Sequence, residues 1–554
     1  MRLRQIPLLV LAALGAAASA RADTVIDNAN GYTLNAKGEL VQFASLAFDD
    51  KGRIVAVGTQ AEVAAKAPQA RHVDMQGRTV LPGLIDAHGH VFSLGAVLTQ
   101  LDLSATASLP DALKAIGDYA RANPKQAWLY GRGWNQEVWK LGRFPTAAEL
   151  DAVVAERPVW LARVDGHAGW ANSRALALAG ITNTTPDPAG GKIMRDANGV
   201  ATGVLVDAAK DLVDKVLPQQ SEAEARHELD EALRQIASVG LTSVHDAGIG
   251  VGADKLYRDY ADHGKLTARI YGMIGGTGAD FDQLAKAGPL KGYANDMYAL
   301  RAVKLYADGA LGSRGAALLA PYSDEPHSHG LLFHSKAQID AMMAKAMKKG
   351  YQVNVHAIGD AGNREILDTF QKELGATHSA AQRHRIEHAQ VVALADLPRF
   401  KSLGIIPSMQ PTHATSDKNM AEQRIGHERM KGAYAWRTFL AQGSRIACGS
   451  DFPVESPNPF FGIHAAVTRE DHAGQPIAGW YPEQAMSLKE AFRCFTLDAA
   501  YAGHAENSLG SLEPGKWADF IVIDRDLFKM PTYDIYKTGV LETWVAGRQV
   551  FQKK

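Results

Sequence analysis

The 554-residue chain has two cysteines, Cys448 and Cys494, and neither sits in a Cys-x-x-Cys or similar metal-ligand spacing. That excludes a cysteine-rich zinc module and a disulfide framework, and the fold is expected not to depend on disulfides. Charge of one sign is missing too: 59 Lys and Arg face 60 Asp and Glu, a formal net charge of −1. There is no basic field to hold nucleic acid and no polybasic run to hold an anionic membrane, so small molecules are the expected partners. No segment reaches the roughly 20 apolar residues needed to span a bilayer, which argues against an integral membrane protein, an uncleaved N-terminal anchor being the alternative.

The first 22 residues stand apart from the rest. Arg2 and Arg4 precede an apolar run from Ile6 to Ala18, followed by Ala18-Ser19-Ala20 and Ala20-Arg21-Ala22, either of which suits signal peptidase. Residues 1–22 are expected to be a Sec-type signal peptide, with a periplasmic or secreted mature protein.

At 46% hydrophobic the chain can bury a large core, and its length suits one big barrel with an accessory domain. Short β runs at Thr24–Ile26, Gln42–Phe48 and Arg53–Val57 match others at Trp517–Ile523, Val540–Val545 and Arg548–Phe551. Neither end offers enough apolar faces for a core of its own, so residues 23–80 and 508–554 are expected to form one composite β-sandwich. Residues 81–507 alternate helix, glycine and buried-looking strand, and the strands end in polar residues. Eight such strands are expected: Leu84–His88, Leu241–Asp246, Ala268–Ile274, Leu300–Tyr306, Tyr351–His356, Arg383–His388, Ile405–Gln410 and Arg445–Asp451. Eight parallel strand–helix units predict an α/β TIM barrel with its site at the C-terminal strand ends. A long insertion, residues 94–220, follows the first strand and reads as a lid or pocket wall.

Those strand ends carry the chemistry. His88-Gly89-His90 closes the first strand, and two imidazoles two residues apart on an extended segment point the same way and can grip one metal. His356 ends strand five, His388 strand six and Asp451 strand eight. Each alone reads as a hydrogen-bonded barrel residue; together they are a donor set for Zn²⁺ or a neighbouring divalent ion. Lys304 lies in the otherwise apolar fourth strand. Beside a dication it must be neutral or an anionic carbamate, and the alternative is a structural ion pair with Asp308 or Asp246.

His88, His90, Lys304, His356, His388 and Asp451, in that strand order, resemble the full metal set of the amidohydrolase superfamily. The motifs LPGLIDAHGH, GRGWNQEVW, DGHAGWANSRAL, VKLYADGALGSRGA, NVHAIGD, RIEHAQ, GSDFPVE and LEPGKWADFIVID make the chain similar to amidohydrolase family 3 over essentially its whole mature length. The resemblance implies two divalent metals, with zinc as the default. His88, His90 and Asp451 would hold the more buried one, His356 and His388 the outer one, and carbamylated Lys304 would bridge them. It also implies a metal-bridging hydroxide as nucleophile and Asp451 as the proton carrier to a leaving nitrogen.

Trp134 and His167 in the insertion and Arg314 after strand four are candidate substrate contacts, the last through bidentate binding of a carboxylate. Their structural alternatives are insertion core, strand cap and surface ion pair. His245-Asp246 is expected to orient a ligand from behind or simply to pack in the barrel. The expected function is hydrolysis of carbon–nitrogen bonds other than peptide bonds in amide, N-acyl or N-formyl small molecules. The alternatives are an ester or carbamate hydrolase with the same centre and an exported non-catalytic metal- or ligand-binding protein. A homo-oligomer is compatible with either.

Overall fold

The computed structural model describes residues 23–554 except 165, 167, 189, 219 and 376–380. The expected signal peptide, residues 1–22, lies outside the described residues. From Leu84 onward the chain follows the strand–helix rhythm of its sequence. Eight strands pair in chain order: Leu84–Gly89 (β1), Leu241–Ile249 (β2), Arg269–Gly275 (β3), Tyr298–Tyr306 (β4), Gln352–Ala357 (β5), Arg385–His388 (β6), Ile406–Met409 (β7) and Ala447–Cys448 (β8). Every pairing along this path is parallel. The ring is drawn shut by a parallel bridge from Gly89 to Phe452, with Asp451 N–H donating to His88 O at 2.7 Å. The result is a nearly closed eight-stranded parallel barrel.

Glycine sets where the crossover helices stop. Gly404 ends the Leu397–Leu403 helix at φ 69°, returning its N–H to the carbonyls of Lys401 and Phe400, in a left-handed conformation that a side chain disfavours. Gly240, Gly350 and Gly443, which precede β2, β5 and β8, have φ of 83°, 80° and 83°.

The largest departure from expectation is β8, two residues long rather than the expected seven from Arg445 to Asp451. Its continuation keeps single backbone bonds to both neighbours, Gly449 N–H to Met409 O and Asp451 N–H to His88 O, but between them Ser450 donates its N–H at 3.1 Å and its hydroxyl at 2.6 Å to the buried carboxyl of Asp86 on β1. Cys448 on β8 is disulfide-bonded to Cys494, 46 residues on. The pairing was not anticipated, since the sequence pointed only to a fold that does not depend on disulfides. The Leu488–Cys494 helix packs close enough to bring the two Cα atoms to 5.1 Å, within bonding range.

Strands from both chain ends share one six-stranded sheet. Thr79–Pro82 is its seam, parallel to Asn30–Leu34 and antiparallel to Phe520–Ile523. A four-stranded sheet supplies Ile26, Leu46 and Phe48 to the same apolar cluster as Val80, Phe520 and Trp544. Between β1 and β2 another six-stranded sheet packs around Trp134, Trp139 and Trp170. Among the described residues no helix is long and apolar enough to cross a membrane.

Candidate metal centre

The C-terminal ends of β1, β4, β5, β6 and β8 meet at one point. Parallel register places Tyr306 beside His356 and Ala357 beside His388, while barrel closure carries β8 back to β1. One nitrogen of His88, one of His388 and one oxygen of Asp451 all lie within 4.8 Å of one another. This trio straddles the two sets expected from sequence. His90 Nε2 approaches Asp451 Oδ1 at 3.0 Å, and His88 Nε2 approaches the same oxygen at 3.4 Å. The His356 and His388 rings lie 4.5 Å apart.

Backbone strain helps bring them together. His388 and Asp451 adopt φ of 73° and 61°, left-handed values that cost a non-glycine residue about 1–3 kcal/mol and persist where the surroundings over-determine them. In an unbroken strand Glu387 and His388 would face opposite ways. The turn at His388 lets both reach His88.

His88 and His388 each have Nδ1 occupied by a side-chain oxygen. Glu387, wholly buried, accepts from His88 Nδ1 at 2.5 Å, and Gln410 Oε1 accepts from His388 Nδ1 at 2.7 Å. Such partners fix the tautomer and aim Nε2 at a metal. His356 Nε2 is buried and has no hydrogen-bond partner. Burial, reinforced by the Lys304 charge, holds His356 down to about 3 and His88 well below the ordinary imidazole range. Burial and neighbouring His356 do the same to His388. All three are therefore neutral near pH 7, the form that ligates metals. Burial alone would push Asp451 up, but the hydrogen bond with His90 leads the surrounding imidazoles in holding the carboxyl well below its ordinary range. Three neutral imidazoles and one carboxylate, with an orphaned nitrogen among them, fit one or more divalent ions.

Lys304 is buried, with Nζ 3.1 Å from His88 Nε2 and 4.7 Å from the centre of the Tyr306 ring. It makes neither alternative ion pair. Asp308 accepts the N–H groups of Ala317, Ile358 and Gly359, and Asp246 accepts Val91 N–H and the Tyr257 hydroxyl. Asp308 also lies 3.6 Å from His356 Nε2, with burial pushing its carboxyl up to about 7. Asp246 thus braces the first turn of the Val91–Thr99 helix that follows His90, while His245 meets Arg385 at 3.1 Å.

The proposed substrate contacts fare differently. Trp134 is fully buried in the insertion core and donates its indole N–H to Leu161 O at 2.7 Å, the arrangement of its structural alternative rather than of a substrate contact. Packing against Trp170 and Phe144 leaves it no free face. Arg314 is bidentate to Asp324, at 3.2 and 3.0 Å, so its fork already holds a carboxylate. It nonetheless lines a cavity of about 1170 Å³ between the insertion (Gln136, Arg163) and the loop after β4 (Gly309, Arg314, Phe333). His167 lies outside the described residues.

Sequence reasoning passed over Asp86, Glu387, Gln410 and His413. Glu387 had a signal, since it directly precedes a strand-end histidine in the RIEH run of a barrel strand.

The family model described as amidohydrolase family matches residues 71–551. The chain belongs to this family. It is 32% identical to the putative amidohydrolase YtcJ of Bacillus subtilis, with 94% of this chain and 98% of that one covered. It is 31% identical to N-substituted formamide deformylase of Arthrobacter pascens, covering 95% and 97%. Among solved structures, an uncharacterised metal-dependent hydrolase from Pyrococcus horikoshii superposes with a TM-score of 0.77 at 26% identity, over 92% of this chain and 99% of that one. Family and neighbours make this amidohydrolase a metal-dependent hydrolase, and its donor set is the candidate site for a divalent metal.

Proposed function

We propose that the protein hydrolyses carbon–nitrogen bonds of small amides, N-acyl or N-formyl compounds rather than peptides. The carrying observation is the buried, partnerless Nε2 of His356 beside the His88, His388 and Asp451 cluster. A relative named for deformylating N-substituted formamides supports the bond class.

His88, His90 and Asp451 would hold one ion, His356 and His388 a second, with zinc the choice by donor type. When bound, such ions lower the pKa of water toward neutrality and polarise a carbonyl. Lys304 would join them after its neutral amine adds carbon dioxide and loses a proton, which turns an uncharged side chain into an anionic ligand. Asp451, whose carboxyl is held well below its ordinary range, takes the proton from water and gives it to the departing nitrogen. Glu387 and Gln410 keep His88 and His388 in the presenting tautomer.

The insertion forms a wall of the substrate pocket, supported by the cavity it shares with the β4 loop. The two end sheets form a composite β-sandwich around their shared cluster. Export is supported by the buried Cys448–Cys494 bond, which suits an oxidising compartment.

The test is a metal assay followed by a screen of formamides, N-acyl amino acids, cyclic amides and matched esters. Two metals with turnover of amides is expected. Turnover of esters alone moves the assignment to ester hydrolysis, and metal without turnover makes the protein a binder.

A further inference from the structure

The end of β7 carries a histidine that no step above employs. His413 lies in the Pro411–Asp417 helix, whose first residue follows β7 by two positions. Its side chain is 12% exposed, and its ring stacks on His388 with centroids 5.8 Å apart and planes 17° apart. Nε2 is buried with no hydrogen-bond partner. The nearest carboxylate oxygen, Asp451 Oδ2, is 3.8 Å away, beyond hydrogen-bond reach. Buried polar atoms are normally satisfied, so a group from outside the chain should complete this one.

A metal ion and a substrate are the two candidates, and geometry separates them. His413 falls outside the tight group formed by His88, His388 and Asp451. It approaches Asp451 at Oδ2, whereas His88 and His90 face Oδ1. Nε2 therefore sits on the side of the carboxylate turned away from those metal-ligand candidates. An amide offers an incoming N–H only its carbonyl oxygen, because the nitrogen lone pair is delocalised. We propose that His413 is a catalytic residue that donates its Nε2–H to the carbonyl oxygen of the scissile amide, an inference that rests on the hydrolase reading above. His413 keeps its proton throughout. The proton released by water goes to Asp451 and then to the nitrogen as the C–N bond breaks.

Zinc-loaded wild type, His413→Ala and His413→Asn are compared by metal content, by calorimetric affinity for acetohydroxamate, which presents an acyl oxygen, and by kcat and KM on an amide from the screen. Metal content should match wild type in both variants. In His413→Ala, acetohydroxamate affinity should fall about 10-fold and kcat about 100-fold with KM little changed, the size of effect seen when one such donor is removed. His413→Asn retains a donor and should recover part of the loss; it also serves if the alanine variant fails to fold. Loss of metal in either variant, or unchanged affinity and kcat, overturns the proposal. Wild type that binds zinc and acetohydroxamate but hydrolyses no amide defeats the hydrolase reading, and the affinity difference still decides the contact. Wild type that does not bind acetohydroxamate counts against the contact itself.

Discussion

At the scale of single residues, the centre divides into groups that would touch metal and groups that aim them. His88→Ala or His90→Ala removes a donor and should lower metal content together with activity, whereas Glu387→Gln should leave the donors in place and weaken metal affinity about 10- to 100-fold, the usual cost of losing an orienting partner. Titration with a competing chelator ranks the three variants, and full metal retention in both histidine variants would remove this site from consideration. Lys304 makes the sharper demand. It has no carboxylate partner within 4.0 Å among the described residues, so Lys304→Ala should lose most activity and the second metal, and Lys304→Glu should regain part of each. Apoenzyme reconstituted with zinc should recover faster with bicarbonate than without. Recovery indifferent to bicarbonate would return the residue to a neutral amine beside a single ion.

At the scale of elements, the join between β5 and β6 contains an acid-sensitive contact remote from the centre. His384, immediately before β6, is wholly buried, accepts Val353 N–H on Nδ1 at 2.9 Å and stacks on Phe370. Burial holds it down to about 3 from an ordinary 6.5. Because the folded-state value lies below the unfolded one, its contribution is fully present above pH 6.5 and is lost as pH falls from there toward 3. At pH 5 the loss amounts to about 2 kcal/mol. Thermal unfolding should therefore weaken between pH 7 and pH 5, and His384→Gln, whose amide oxygen can accept the same N–H, should show a shallower slope. Equal slopes in variant and wild type would assign the acid sensitivity to other groups. The shortening of β8 belongs to this scale too. A run from Arg445 to Asp451 reads as one strand, and only the neighbouring β1 reveals that Asp86 takes Ser450 out of the pairing.

For the whole molecule, export is the prediction that the sequence makes most specifically. The mature protein should begin at Arg21 or Asp23 in a periplasmic or culture fraction, with a non-reduced digest yielding the Cys448 and Cys494 peptides linked. N-terminal sequencing that found Met1 on cytoplasmic protein would overturn the export assignment. Much of the molecule was legible in advance because it is locally encoded. Apolar runs, glycine helix stops and polar residues at most strand ends mark eight parallel strands in order, and that order carries His88, His90, Lys304, His356, His388 and Asp451 toward one mouth. The rest depends on contacts between segments far apart in the chain. Pairing of Glu387 with His88 spans 299 residues, and the left-handed turns at His388 and Asp451 break the alternation by which a strand is read. Trp134 stood between substrate contact and insertion core because local sequence cannot show which face a neighbouring sheet will cover. His413 was passed over because its signal is a nitrogen left without a partner, and that exists only once every surrounding group has taken its place.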